Sequence, residues 1–228
     1  MKFMNRRMAQ PGASGGNPGF TLVELLAVMA IIILMVGLGV SAFSGGSNTN
    51  ATKSASAVVS GLFTSARTEA VLRQTRSRVV ADTFYDTSAP QNCYHRMTVA
   101  YLSPSTADPA QASSWLQSGK WELLPNNVYF DPNYSNPHGK GMLLATPFGN
   151  GSGRYWYYEF LPNGQANNSL AVNPNVPVQL IVSPGSVGAG GSFAERNATA
   201  PTASLYGFAL FRMGNISFFQ DILSIQKP

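Results

Sequence analysis

The hydrophobic pattern passes through three regimes along the chain. From Phe20 to Phe43 it is continuous: FTLVELLAVMAIIILMVGLGVSAF, with Glu24 as the single charge. This run predicts a helix of roughly 36 Å at 1.5 Å per residue, long enough to cross a bilayer. Ser44-Gly45-Gly46-Ser47-Asn48-Thr49-Asn50 then reads as a turn-rich break. Over about residues 51–75, Ala55, Val58, Val59, Leu62, Phe63, Ala66 and Ala70 recur at spacings of three and four. They mark one apolar stripe of an amphipathic helix laid against a sheet. Glu69 and Arg73, four apart, can pair on its outer face.

Beyond residue 77 the period falls to two. Arg78–Phe84 reads as a strand and His95–Tyr101 as its hairpin partner. Residues 102–119 are polar and rich in Pro, Ala and Ser, so a loop is expected. Short strands are expected at 120–124, 127–130, 141–145, 154–160, 177–183, 205–212 and 215–220, the last two joined by a turn at Met213-Gly214-Asn215. Residues 184–202, rich in Gly, Ala and Ser, read as a second long loop. The fold class is therefore α+β, a helix followed by many short, mostly antiparallel strands.

Composition sharpens this in two respects. Charged residues are only 11% of the 228, less than half the usual share, which argues against a typical soluble cytosolic protein. The net charge of +5 is concentrated at one end: Lys2, Arg6 and Arg7 precede the apolar run, and removing them leaves 12 basic and 10 acidic side chains. A basic flank before an apolar helix keeps the N-terminal end cytoplasmic and exports the rest. Ser41, Ala42, Ser44 and Gly45 mimic a secretory cleavage site, but the apolar run is too long for an ordinary signal. A plain signal anchor would not explain Glu24. A carboxylate in hydrocarbon costs about 2.5–3.5 kcal/mol on insertion scales and usually has a partner.

Gly19-Phe20-Thr21-Leu22-Val23-Glu24, after a basic leader and before a long apolar stretch, resembles the type IV prepilin signature shared by type IV pilins and type II secretion pseudopilins. The resemblance implies that a prepilin peptidase cuts between Gly19 and Phe20 and methylates the new Phe20 amine. It implies a leader at 1–19, a membrane and filament-core helix at 20–44, an amphipathic helix at 45–75 and a β-rich head at 76–228. Glu24 would face the N-terminal amine of a neighbouring subunit. Many members carry a proline two-thirds along the helix; here Gly37 and Gly39 occupy that region, followed by Ser41. Other pilin-like subunits and a membrane assembly platform are the implied partners. The implied location is the inner membrane, single-pass, with the head in the periplasm or outside.

The body is similar to the H-type minor pseudopilins of type II secretion and to minor pilins of the FimT/FimU kind. Ala66-Arg67-Thr68-Glu69-Ala70-Val71 near the helix end carries this resemblance. So do Leu124-Pro125 before Val128–Phe130, the Phe-x-Pro-x-Gly step Phe160-Leu161-Pro162-Asn163-Gly164, and a closing hairpin over Gly207–Phe211 and Gly214–Phe219. The implied role is structural, a minor subunit of a pseudopilus or pilus.

Candidate chemistry is sparse. His95 beside Cys93, and His138 near Asp131, lack the ligand number and spacing of a zinc site. Cys93 and His95, two apart, are poorly placed as nucleophile and base, so Cys93 reads as a free or buried thiol at a hairpin end. The major pseudopilins use a calcium-binding loop, but Asp131-Pro132-Asn133-Tyr134-Ser135-Asn136 has few carboxylates and reads as a turn-rich loop. Asp82 with Asp86 is weak ground for acid–base work, and Gly188–Gly191 lacks the lysine of a phosphate loop. No enzyme and no cofactor are expected. Arg67, Arg73, Arg76 and Arg78 form a modest basic cluster. Its plain reading is a solvated face; its sharper reading is contact with DNA phosphates or another ligand in a DNA-uptake or adhesive pilin. Tyr155-Trp156-Tyr157-Tyr158 beside Arg154 reads as cross-strand packing.

Overall fold

The computed structural model describes residues 22–105, 108–142, 155–170, 172, 178–195 and 205–219. The chain divides into two compact units, Met1–Ser44 and Gly45–Pro228. Helix α1 spans Leu22–Arg73, 52 residues. Its backbone stays helical through Ser44–Asn50, where the composition predicted a break. The stretch contains no proline. Glycine and asparagine weaken a helix by up to about 1 kcal/mol each but keep the N–H that the ladder needs.

In the second unit the predicted stripe is the buried one. Ala55, Val59, Leu62, Phe63, Ala66 and Ala70 are buried, with Val58 packed at their edge. The helix stops at a left-handed residue, Gln74, with φ +52°. Gln74 N–H donates to Val71 O at 3.4 Å and Thr75 N–H to Ala70 O at 3.2 Å. These are the two crossed bonds of a Schellman cap, with glutamine in the position glycine usually takes.

Two antiparallel sheets follow. The first is built from β1 (Ser77–Asp82), β2 (Arg96–Leu102), β3 (Trp115–Gln117), β4 (Glu122–Leu123), β6 (Gly139–Met142) and β7 (Tyr155–Phe160). Its order is β3-β2-β1-β7-β6, with β4 also on β2. The second holds β5 (Val128–Phe130), β8 (Gln179–Val187), β9 (Phe193–Glu195), β10 (Tyr206–Leu210) and β11 (Ile216–Phe219). Its order is β11-β10-β8-β5, with β9 on β8. The β1–β2 pairing, Ser77 opposite Tyr101 through Ala81 opposite Met97, is the expected hairpin.

Three strand expectations are corrected. Trp115–Gln117 is a strand inside the predicted 102–119 loop: Trp115 is buried against the outer face of the first sheet, overriding the polar composition around it. β8 continues past Pro184 to Val187. Proline is tolerated there because β10 pairs β8 only up to Val182, so Pro184 has a strand neighbour on one side. Phe193–Glu195 pairs with Gly185–Val187, so part of the predicted 184–202 loop is a ribbon. Residues 143–145 and 196–202 lie outside the described residues.

One core serves both sheets. Alternation sends Val79 and Ala81 of β1, Met97 and Val99 of β2, and Tyr158 and Phe160 of β7 toward α1, where they meet Phe130, Leu180, Val182 and Phe208 of the second sheet. Phe63 wedges between Tyr158 (5.3 Å) and Phe160 (6.2 Å), both edge-on. Truncating so buried a ring removes apolar contact and leaves a cavity. Phe63→Ala is expected to destabilise the detergent-solubilised chain by about 3–5 kcal/mol in urea unfolding, whereas the exposed Thr64→Ala should stay within ~0.5 kcal/mol.

Candidate functional site

The strongest constellation lies on α1, at Arg67. Strand β7 runs into the turn Leu161-Pro162-Asn163-Gly164, where Gly164 takes φ +76° and donates its N–H to Leu161 O at 2.8 Å. Strands β10 and β11 are joined by a second turn, where Gly214 takes φ +78° and donates to Phe211 O at 2.8 Å. Left-handed backbone of this kind costs a residue with a Cβ about 1–2 kcal/mol. The two turns touch: Ala166 N–H donates to Arg212 O at 3.0 Å, and a Cβ on Gly214 would run into the Gly164 carbonyl oxygen. A Cβ on Gly164 would meet Val71 Cγ2 at 3.1 Å and Arg67 Nε at 3.3 Å. Arg67 completes the clasp, with Nη1 donating to Asn215 Oδ1 at 3.4 Å and Nη2 to Met213 O at 3.3 Å. Helix, first sheet and second sheet thus meet at one side chain. Three features that the sequence presented separately, Arg67, the Phe-x-Pro-x-Gly step and the closing hairpin, are brought together here.

Beside the clasp lies a groove of about 630 Å³ between α1 and β11. Ser60, Thr64, Val71 and Leu72 form the helix wall, with Ile216 and Phe218 opposite. Val71, Leu72 and Phe218 are exposed. Arg67 is the one charged residue among the described residues lining the groove.

The remaining arginines of the predicted cluster each lie against an acidic neighbour. Arg73 pairs with Glu69 and lies 4.0 Å over the Tyr101 ring. Glu69 also accepts a bond from Ser118 Oγ at 2.6 Å, which, ahead of Arg73, holds its carboxyl below the usual range. Arg78 is buried, sandwiched between Trp115 (3.7 Å) and Tyr157 (3.8 Å), with Nη2 2.6 Å from Glu159 Oε2. Burial pulls its pKa down, and Glu159 opposes the shift. Arg76 reaches the same carboxylate at 3.5 Å, and Asn167 Nδ2 donates to it at 2.7 Å. Arg76, whose side chain stays part-exposed, and the buried Arg78 therefore converge on Glu159. The sequence reading passed over Glu159. Its signal was a lone acid in an aromatic strand, placed opposite Arg78 by the β1–β7 register.

The other candidate groups are structural. His138 is buried, accepts the Glu159 N–H on Nδ1 at 2.6 Å, and faces Asn168 Oδ1 with Nε2 at 3.3 Å. This places its proton on Nε2, and burial pulls its pKa down to about 4. Asp131 is buried and accepts from Asn133 N–H (2.8 Å) and Ser183 Oγ (2.9 Å), capping the turn that follows. Burial raises its pKa, as it does for Asp82, whose carboxylate sits 2.6 Å from Arg96 Nε. Cys93 is free and buried, its thiol pushed up to about 12 by burial. His95 lies tilted against the Tyr129 ring at 5.0 Å, with Nε2 3.3 Å from Pro125 O.

In the first unit, Gly19 and Phe20 lie outside the described residues. Glu24 is in the first described turn of α1 and is exposed. The apolar side chains described from Leu22 to Met35 are exposed as well. Phe20, Thr21, Leu34 and residues 36–43 contribute no described side chains to the run predicted to span a membrane. Among the described residues no helix is long and apolar enough to cross one.

No family model matches the chain, and no curated protein matches it. Among solved structures, the chain is similar to the minor pseudopilin EpsH from the type 2 secretion system of Vibrio cholerae. The two are 12% identical over 75% of this chain and 96% of that one, with a TM-score of 0.39.

The clasp predicts unequal effects at glycines of similar φ. Gly190, at φ +80°, has open space around its missing Cβ. Gly190→Ala should cost only the backbone's ~1–2 kcal/mol, and Gly214→Ala about 1–3 kcal/mol more from overpacking, both read by urea unfolding. His138 predicts a pH dependence. Its folded pKa of about 4 lies below the ordinary 6.5, so the unfolded chain binds the extra proton between them. Its contribution to stability is present above pH 6.5 and is lost as pH falls toward 4. The slope is at most about 1.4 kcal/mol per pH unit. Asp82 and Asp131, raised above 3.8, act in the opposite sense. The readout is therefore the difference between the unaltered chain and His138→Gln, which should narrow on acidification through that window.

Proposed function

We propose that the chain is a minor pilin-like structural subunit of a type II secretion pseudopilus or a type IV pilus. A prepilin peptidase would cleave it after Gly19 and methylate the Phe20 amine. Residues 20–44 would hold it in the inner membrane and later pack among equivalent helices in the filament. Glu24 would pair with the cationic N-terminus of a neighbouring subunit. The head would make the lateral contacts, with other subunits and a membrane assembly platform as partners. The motor that drives assembly would lie on another protein.

The observation that carries this reading is the six-residue motif Gly19–Glu24 at the head of an apolar run. Support comes from the side chains after it: from Leu22 to Met35 those described are apolar except Glu24, and exposed. A helix apolar on every side buries itself in lipid or among other helices. A carboxylate within such a surface is tolerated when it is paired with a cation. Within the second unit, both sheets pack on one helix stripe, Ala55 to Ala70.

The test is the intact mass and N-terminal sequence of the chain isolated from the membrane of cells making a prepilin peptidase. A chain beginning at N-methylated Phe20 is expected. An intact Met1 terminus in the presence of an active peptidase overturns the reading. Glu24→Ala should be cleaved normally yet enter the assembly at least ~10-fold less, the effect of losing roughly 1.4 kcal/mol.

A further inference from the structure

The sheet edge beside the groove is built differently from its counterpart. Strand β11 is the outer strand of the second sheet, and among the described residues it pairs with β10 alone. Exposed edges invite further pairing, and soluble proteins blunt them with lysine, proline, bulges or twist. Strand β6, an edge of the first sheet, is blunted in this way. It carries Lys140, and its register breaks between Lys140 and Met142. Strand β11 reads Ile216-Ser217-Phe218-Phe219, regular, without charge or proline, and Phe218 is 53% exposed.

The groove narrows what could pair there. Its helix wall runs from Ser60 to Leu72, about 18 Å at 1.5 Å per residue, or roughly five residues of extended chain. An extended occupant uses the backbone groups on the open side of β11; a helix, with its own N–H and C=O groups engaged, does not. Val71, Leu72 and Phe218 fit apolar side chains at alternate positions. Among the described residues lining the groove Arg67 alone is charged, and its two contacts, at 3.3 and 3.4 Å, are long for a guanidinium. Its five-donor fork suits a carboxylate.

We propose that β11 and the facing side of α1 receive, by strand addition, an extended segment of a partner subunit. That segment is apolar at alternate positions and carries one carboxylate opposite Arg67. Main-chain bonds to β11 would supply affinity, and the Arg67 pairing would fix register. This inference rests on the reading of the chain as an assembly subunit.

The test is a photoreactive phenylalanine analogue at position 218 of the full chain, in cells that process and assemble it, with every adduct mapped to its residues. The expected adduct joins position 218 to a co-assembled subunit of different sequence, within a segment alternating apolar residues around an Asp or Glu. Phe218→Lys, a blunted edge, should lower recovery in the assembly by about tenfold with cleavage after Gly19 unchanged. Arg67→Gln should weaken the adduct at position 218, while Arg67→Lys restores part of it. An adduct to the chain's own residues 220–228, or to a second copy, overturns the proposal. So does a chain that assembles normally without any adduct or any effect of Phe218→Lys, although the subunit reading then stands. A chain that is neither cleaved nor assembled takes both down.

Discussion

The second unit depends on how closely α1 approaches two sheets at once. Small side chains permit this: Ala55, Ala66 and Ala70 are fully buried in the stripe, with Val59, Leu62 and Phe63 between them. Ser77 Oγ donates to the Ala66 carbonyl at 2.5 Å, so the first residue of β1 is tied to the helix backbone itself. Residues of both sheets share this one cluster, so neither sheet has an independent floor. Packing of this kind couples the sheets, because losing the helix uncovers both together. The Arg67 clasp reinforces the same junction from the rim with hydrogen bonds between turns.

The other face of the first sheet is covered by side chains of the sheet's own loops and short strands. Trp115, Arg78 and Tyr157 stack in one layer, and Trp121 lies near Arg96 (4.6 Å) and Tyr155 (5.7 Å) in a second. The guanidiniums are neutralised by Glu159 and Asp82. A buried ion pair is weak evidence for net stability, because desolvation offsets much of the attraction. Here it fixes strand register: Arg78 sits opposite Glu159 across β1 and β7, and a slip of one residue would bury an uncompensated charge.

Much of this was legible in the sequence. The stripe from Ala55 to Ala70, the β1–β2 hairpin and the closing turn at Gly214 follow from periodicity and turn chemistry, which are local signals. Trp115 and β9 were hidden because their strands are three residues long in polar surroundings, too short for an alternation to register. The helix through Ser44–Asn50 was misread because glycine and asparagine favour turns yet do not forbid a helix. Arg67 was noted as part of a cluster, but its role depends on two turns roughly a hundred and a hundred and fifty residues downstream. No periodicity encodes such a meeting. The Glu69–Arg73 pair was legible from its spacing of four, but the convergence of Arg76 and Arg78 on Glu159 was not, because it depends on the β1–β7 pairing.

The state of Cys93 has a practical consequence. It is the single cysteine of the chain, fully enclosed, and burial pushes its pKa up to about 12. The thiolate is the form that reacts with maleimides, oxidants and disulfides, so near neutrality this sulfur is chemically silent while the fold holds. The natural chain is thus already a blank background for thiol chemistry. A cysteine placed anywhere on its surface would be the one site to take a fluorophore, spin label or cross-linker, with no residue of the native sequence removed.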